Sequence, residues 1–189
     1  MPASAPPRLV VLAPAPLFAS FFDAAARSRL TRSFRWRRIP GRSVTAGMRA
    51  ALLDADALIT TWDSPRFGDS LLRLAPRLRV IGHCGGEVKG RFPAPLFSRL
   101  TITNAPAPMA RPVAELAVAL LLYSARGVDG YRAALRRRSN AIYARLHRDG
   151  AGDETLHGRA IGLLGFGKIG RDIAAMLAPF GARLLVHDP

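Results

Sequence analysis

The segment that most constrains the fold lies at residues 156–189, LHGRAIGLLGFGKIGRDIAAMLAPFGARLLVHDP. Its first apolar run, Ala160–Leu164, predicts a buried strand, and a glycine-rich turn follows directly. The next stretch is amphipathic and predicts a helix, after which a second apolar run ends in an aspartate. The order of strand, glycine turn, helix, strand and acid predicts a βαβ unit with parallel strands.

The glycines of this turn, Gly165, Gly167 and Gly170, have the spacing of a dinucleotide-binding motif. In that motif the first glycine permits a sharp turn, the second leaves room for a pyrophosphate, and the third lets the helix pack close to the strand. Asp188 follows the last glycine by 18 positions, where a carboxylate accepts hydrogen bonds from the adenosine ribose. Its charge repels a 2′-phosphate, which favours NAD over NADP. A structural glycine turn without a ligand is the alternative.

The start of the predicted helix provides further binding groups. Its first N–H groups and the positive end of its dipole are expected to face the phosphates of the cofactor. Within this segment we expect the cofactor-binding residues to be Gly165, Phe166, Gly167, Lys168, Ile169, Gly170 and Asp188.

Composition narrows the class of protein. The chain has 189 residues, enough for one ordinary or two small domains, and 49% of them are hydrophobic, which is enough for a packed core. Cys84 is the single cysteine, so an intramolecular disulfide is excluded and a reducing compartment is favoured. Apolar runs are far shorter than the ~20 residues of a membrane helix, and Pro14 and Pro16 break the first run. We expect a cytoplasmic protein without a membrane partner.

The formal net charge of +15 comes almost entirely from arginine, since the only lysines are Lys89 and Lys168. A nucleic-acid-binding protein is expected to cluster such charge with exposed aromatic residues or a reading helix. The densest basic stretch, residues 132–148, favours a solvated or subunit-facing surface over a specific nucleic-acid site. A polyanion-binding module stays an alternative, and an anionic cofactor and substrate also benefit from the positive field.

Strand and helix patterns alternate over the first 104 residues and predict a parallel, doubly wound α/β sheet. The predicted strands are residues 9–12, 34–39, 57–61, 78–83 and 101–104, and the predicted helices are residues 17–30, 48–54, 71–74 and 95–100. Turn residues such as Pro65 and Pro93 fall mostly after strands, at the sheet edge where α/β proteins place ligands.

The middle of the chain predicts a connector and a long helix. Residues 104–111 are proline-rich and predict an irregular connector, and Pro112 suits the first turn of a helix over residues 113–126. That helix is apolar nearly all round, so we expect it to be buried between layers. We expect it to end near residues 127–129, followed by a helix over residues 132–145 and a polar loop over residues 149–154.

Three segments, taken in order, resemble the D-isomer-specific 2-hydroxyacid dehydrogenases: LRVIGHCGGEVKG, TITNAPAPMARPVAELAVALLL and the βαβ segment above. The resemblance covers essentially the whole chain. It implies a flavodoxin-like substrate domain, whose N-terminal part is residues 1–104, followed by the first βαβ unit of an incomplete NAD-binding Rossmann domain, residues 105–189. It also implies hydride transfer between NAD and a small 2-hydroxy or 2-oxo acid, and a homodimer of the complete protein.

The resemblance further implies that Gly85, Gly86 and Glu87 bind the substrate carboxylate through backbone amides, and that Gly86 also contacts NAD. This loop departs from the family pattern, because Glu87 replaces a second glycine and Lys89–Gly90 replaces an Asp-Asn pair. A carboxylate there repels a carboxylate substrate unless it turns away or pairs with Lys89. The alternative is a tight strand-to-loop turn without a ligand.

The family's catalytic residues are a histidine held by a carboxylate and an arginine that fixes the substrate. They lie beyond the cofactor acid, so we expect no catalytic residue in this chain, no metal site, and no activity of the 189 residues alone. The four histidines and Cys84 lack the partners that such chemistry needs. The complete protein is then an NAD-dependent oxidoreductase. The alternative is a non-catalytic protein that binds NAD or a partner.

Overall fold

The structure is a computed structural model that describes residues 5–148 and 155–189. It divides into two compact units, Met1–Pro106 and Ala107–Pro189. The first unit consists of β1 Arg8–Leu12, α1 Ala15–Phe21, α2 Ala24–Ser33, β2 Arg35–Ile39, α3 Ala46–Leu53, β3 Ala57–Thr60, α4 Leu71–Leu74, β4 Val80–His83, α5 Ala94–Phe97 and β5 Thr101–Asn104.

The five strands of the first unit form a parallel sheet in the order β2-β1-β3-β4-β5. This is the flavodoxin-like order of a doubly wound sheet, so the predicted fold class is confirmed. β1 shows why both faces are covered: Val10 and Leu12 pack with α3, α4 and α5, whereas Leu9 and Val11 pack with α1 and α2. All four side chains are buried, which explains the uninterrupted apolar run of this strand.

The single helix expected over residues 17–30 is wrong. Two helices, α1 and α2, are separated at Phe22 and Asp23, because the Asp23 carboxylate accepts a hydrogen bond of 2.7 Å from the N–H of Ala26. Such an N-cap stabilises the start of a new helix. The other predicted elements of this unit are present, with limits that differ by at most three residues.

The second unit contains α6 Ala107–Ala125, α7 Val128–Arg136, α8 Asn140–Arg148, β6 Ala160–Leu164, α9 Lys168–Leu177, a 3₁₀ turn at Ala178–Phe180 and β7 Arg183–His187. β6 and β7 are parallel and α9 connects them, so the predicted βαβ unit is confirmed. Val118 of α6, Leu177 of α9 and Leu156 form the core of this unit, with Ile161 and Leu184 packed against it.

The irregular connector expected over residues 104–111 is wrong, since α6 begins at Ala107 and contains Pro112. Pro108 occupies the first turn instead, where a missing N–H costs nothing because the first four N–H groups of a helix have no helical acceptor. Pro112 lies inside the helix, where its missing N–H removes one hydrogen bond of the helix backbone.

The expectation that this long helix is buried on nearly all sides is also wrong. Ala110, Ala114 and Val118 are buried, but Leu116 is 59% exposed and Leu120 is 56% exposed. The core of the second unit packs against one side of α6, so an apolar stripe on the other side faces outward.

The helix expected over residues 132–145 is interrupted. Arg138 has a φ of 50°, which ends the helical path after α7, and the hydroxyl of Ser139 accepts a hydrogen bond from the N–H of Ile142 at the start of α8. Gly127, with a φ of 56°, separates α6 from α7 as predicted. The polar loop expected over residues 149–154 lies outside the described residues. In the part of the chain that is described, no helix is long and apolar enough to cross a membrane.

Candidate functional site: a glycine turn and a basic cavity

The glycine turn starts directly after β6. Gly165 has a φ of 97°, a backbone conformation that glycine adopts far more readily than other residues. Its N–H donates a hydrogen bond of 2.7 Å to the carbonyl of His187, the last residue of β7. The turn and Asp188 therefore emerge side by side at one edge of the two-stranded sheet.

Gly170 and Gly167 meet different constraints. A Cβ at Gly170 would lie 2.3 Å from the carbonyl oxygen of Gly165, so α9 approaches the turn too closely for any side chain there. Apart from its chain neighbours, no atom of the described residues lies within 4 Å of a Cβ placed at Gly167, which leaves its backbone open to a ligand.

The N-terminus of α9 supplies free donors to this open space. The first helical hydrogen bond joins the N–H of Arg171 to the carbonyl of Gly167 at 3.0 Å. The N–H groups of Lys168, Ile169 and Gly170 consequently have no helical acceptor, and the positive end of the helix dipole lies at the same place. This arrangement fits a pyrophosphate.

Side chains around the turn are held by local contacts. Lys168 Nζ lies 2.7 and 2.8 Å from the two carboxylate oxygens of Asp172, and the Phe166 carbonyl accepts a hydrogen bond of 2.9 Å from Arg171. Asp188 is exposed. All predicted cofactor-binding residues except Gly86 thus gather at the turn, the first turn of α9 and the end of β7. Gly86 belongs to the first unit.

The loop after β4 contains the residues predicted to bind substrate. The Gly85 carbonyl accepts a hydrogen bond from the N–H of Ala105 at 3.0 Å, and the Gly86 carbonyl accepts one from Asn104 Nδ2 at 2.6 Å. The carbonyls therefore serve as structural ties to the end of β5. No described residue accepts a hydrogen bond from the N–H of Gly86 or Glu87, so these amides remain available.

Glu87 turns back on its own loop. Its Oε1 accepts a hydrogen bond of 2.7 Å from the N–H of Gly90, and no ion pair with Lys89 occurs within the described ranges. The Glu87 carboxylate is therefore held by its own loop and not by Lys89.

A cavity of about 320 Å³ opens beside this loop, at the carboxyl ends of β3 and β4, and is lined by Trp62, Arg66, His83, Glu87, Gly90 and Arg91. Sequence reasoning missed its basic and aromatic residues. The signal that marks them is position, because the segment after β3 carries Trp62 and Arg66 to the edge where parallel sheets bind ligands.

His83 is 3% exposed, and its Nδ1 lies 2.9 Å from the hydroxyl oxygen of Thr60. Burial and the positive charge of Arg91 hold the pKa of His83 below its ordinary value, so the ring is neutral at pH 7. Burial raises the pKa of the Cys84 thiol, which keeps it protonated. In residues 5–148 and 155–189, no histidine forms an ion pair with a carboxylate and no cluster of potential metal ligands occurs.

Comparison with known proteins matches most of the second unit to a known domain family. Residues 118–189 match the family described as D-isomer specific 2-hydroxyacid dehydrogenase, NAD binding domain. The chain is related to the D-isomer-specific 2-hydroxyacid dehydrogenases. The resemblance inferred from the sequence and the prediction of an NAD-binding domain are confirmed.

Individual relatives agree with this assignment. D-3-phosphoglycerate dehydrogenase of Mycobacterium leprae is 32% identical over 145 residues, which are 74% of this chain and 25% of that protein. An NADPH-dependent glyoxylate/hydroxypyruvate reductase from Sinorhizobium meliloti, solved with citrate, has a TM-score of 0.68 and 27% identity, covering 97% of this chain and 54% of that one. A Pyrococcus horikoshii structure has a TM-score of 0.76 at 22% identity, over 97% of this chain and 53% of that one, and shows the shared fold. The chain spans about a quarter of the length of the curated relatives it matches.

The two glycines provide a matched pair of substitutions. Gly170→Ala places a Cβ against the Gly165 carbonyl and is expected to destabilise the second unit by about 1–3 kcal/mol. Gly167→Ala meets open space and is expected to change stability by less than about 0.5 kcal/mol. Amide hydrogen exchange of β6 and β7 measures both effects. Equal protection in the two variants would contradict the close approach of α9 to the turn.

Proposed function

We propose that residues 1–189 belong to an NAD-dependent oxidoreductase that transfers a hydride between NAD and a 2-hydroxy or 2-oxo acid. The observation that carries the proposal is the β6–α9–β7 unit, in which Gly165, the open Gly167 backbone and Asp188 lie at one edge of the sheet. The match of residues 118–189 to an NAD-binding domain family supports it. In this proposal, residues 1–104 are the N-terminal part of the substrate domain and residues 105–189 the start of the NAD-binding domain.

The geometry of the turn supports the proposed cofactor-binding roles. The N–H groups at the start of α9 bind the pyrophosphate, Gly167 leaves room for it, and Phe166 lies between the two turn glycines. Asp188 binds the ribose hydroxyls and disfavours a 2′-phosphate, so the preference is for NAD over NADP. NAD, when bound, accepts or donates the hydride. Gly86 is proposed as a further residue that contacts NAD through its amide.

Substrate binding is assigned to the loop after β4. The free N–H groups of Gly86 and Glu87 and the backbone of Gly85 bind the carboxylate of the 2-hydroxy acid. The Glu87 carboxylate is held on the same loop by the N–H of Gly90. The positive charge of the chain favours an anionic substrate.

Asp188→Ala tests the cofactor assignment. Loss of charge-assisted hydrogen bonds to the ribose is expected to cost about 2–3 kcal/mol, or roughly 30–150-fold in NAD affinity, with a smaller loss for NADP. NMR titration with each cofactor measures the affinities even when binding is weak. Glu115→Ala, which removes one exposed acid from α6 of the same unit, is the control and is expected to leave both affinities unchanged. An equal loss for NAD and NADP in Asp188→Ala would argue against the assignment.

We also propose that residues 1–189 by themselves do not catalyse this reaction. His83 is bound to Thr60 and neutral, and His147 stacks on the ring of Tyr143, so neither has the carboxylate partner of an acid/base histidine.

The corresponding assay is oxidation of NADH by the purified chain over a panel of 2-oxo acids. The purified chain and a Gly167→Val variant, whose side chain fills the open space at the turn, are expected to show the same background rate of NADH oxidation. Turnover above this control would show that a residue of this chain is catalytic.

We propose that the complete protein is a homodimer, supported by the outward apolar stripe of α6, on which Val113, Leu116 and Leu120 are each more than 40% exposed. The single cysteine supports a cytoplasmic location. No feature of the described surface favours a specific nucleic-acid site over a solvated arginine-rich surface.

Leu116→Glu tests the homodimer, because a buried carboxylate at an apolar interface is unfavourable. Light scattering at micromolar concentration is expected to show a dimer for the complete protein and a monomer for the complete protein with this substitution. Leu53→Glu, at an exposed leucine of α3 in the first unit, is the matched control and is expected to remain dimeric. A monomeric complete protein would contradict the assignment.

A further inference from the structure

Side chains with N–H donors predominate in the lining of the cavity at the carboxyl ends of β3 and β4. Arg66, Arg91 and Trp62 carry such donors, and His83 carries one at Nε2 when that nitrogen is protonated. Glu87 is the one carboxylate of the lining, and its Oε1 already accepts the N–H of Gly90. A ligand that complements this lining must supply acceptors.

Arg91 carries the clearest sign of a missing acceptor. Its Nε is buried and has no hydrogen-bond partner among the described residues, although its Nη2 donates to the carbonyl of Ser64 at 2.6 Å. Buried polar groups are normally paired, so an unpaired nitrogen on a cation requires an explanation.

The second guanidinium is also without a counter-ion. Arg66 Nη1 donates to the carbonyl of Gly90 at 3.0 Å. Within residues 5–148 and 155–189, no carboxylate lies within ion-pair distance of Arg66 or Arg91. Burial and the charge of Arg66 lower the pKa of Arg91, which shows that the two cations disfavour each other. An anion between them relieves this repulsion.

Two ring nitrogens converge on the same side of the cavity. A Cβ at Gly85 would lie 2.6 Å from His83 Nε2 and 2.9 Å from Trp62 Nε1, so glycine is needed where the rings meet. When the Thr60 hydroxyl donates to Nδ1 of the neutral His83, the ring proton is on Nε2. The imidazole and the indole then each offer one N–H at this point.

We propose that this cavity binds an oxyanion, a carboxylate or phosphate group, between Arg66 and Arg91 with donors from His83 and Trp62. Glu87 also lines the cavity, so the guanidinium groups lie beside the loop that follows β4. The inference rests on the proposed function and deepens it: the preferred 2-hydroxy acid carries a second anionic group besides the carboxylate bound by the loop amides. Bidentate arginine contacts favour such planar or tetrahedral oxyanions.

The test uses the 189-residue chain without NAD, so that its outcome is independent of the cofactor site. Malonate, inorganic phosphate and acetate are added at constant ionic strength, and the two indole N–H resonances are followed by NMR. The indole N–H resonance of Trp62 is expected to shift in a saturable way with malonate or phosphate. Acetate is expected to bind about tenfold more weakly. Trp36, whose indole donates to the Thr31 hydroxyl outside the cavity, is the internal control. Tighter binding of malonate identifies the distal group as a carboxylate, and tighter binding of phosphate identifies it as a phosphate.

Arg66→Gln and Arg91→Lys are both expected to weaken the binding of malonate or phosphate by about tenfold. The first substitution removes an exposed charge, and the second removes the buried Nε. Arg99→Gln, an exposed arginine of the same unit outside the cavity, is the matched control. The chemical shift of Trp36 reports whether each variant is folded. No saturable shift of Trp62, or equal affinity in Arg66→Gln and Arg99→Gln, would overturn the proposal. Failure of NAD binding alone would leave it standing, since no cofactor is present.

Discussion

The hydrogen bond from the N–H of Gly165 to the carbonyl of His187 is the interaction on which the cofactor site depends. It extends the parallel register that pairs Leu164 with His187 by one further residue. The glycine turn that follows β6 and the acid that follows β7 therefore lie at the same edge. A slip of one residue would turn the side chains of one strand to the opposite face and separate these groups.

The first unit uses the same physical arrangement. Thr60 and His83 are paired at the ends of β3 and β4, and the N–H of Cys84 donates to the Thr60 carbonyl at 2.8 Å. Two loops consequently leave the sheet side by side, one with Arg66 and the other with Arg91. The donor-rich cavity is the consequence of parallel pairing followed by two short loops.

Local patterns were sufficient to predict the parts of the fold that depend on neighbouring residues. The apolar run of β6, the spacing of Gly165 and Gly170 and the position of Asp188 all follow from short-range rules, and the structure contains the βαβ unit they predict. The flavodoxin-like strand order was available only through the resemblance, because periodicity does not tell which strands are neighbours.

Features that depend on competing or distant contacts were not predicted. The helix break at Asp23 requires its carboxylate to accept a hydrogen bond from the N–H of Ala26. α6 begins at Ala107, with Pro108 in its first turn and Pro112 inside the helix. The cavity was missed for a different reason. Arg91 and Ser64 lie 27 positions apart, and only the folded sheet brings them together.

The central claim is that the open start of α9 binds the pyrophosphate of NAD. Assigned backbone amide resonances of the chain, recorded during a titration with NAD, test it most directly. The account predicts that the largest shifts occur at Gly167, Lys168, Ile169, Gly170 and Asp188, since these residues surround the free donors and the ribose-binding acid. Shifts spread over the arginine-rich surface, with none at these residues, would contradict it.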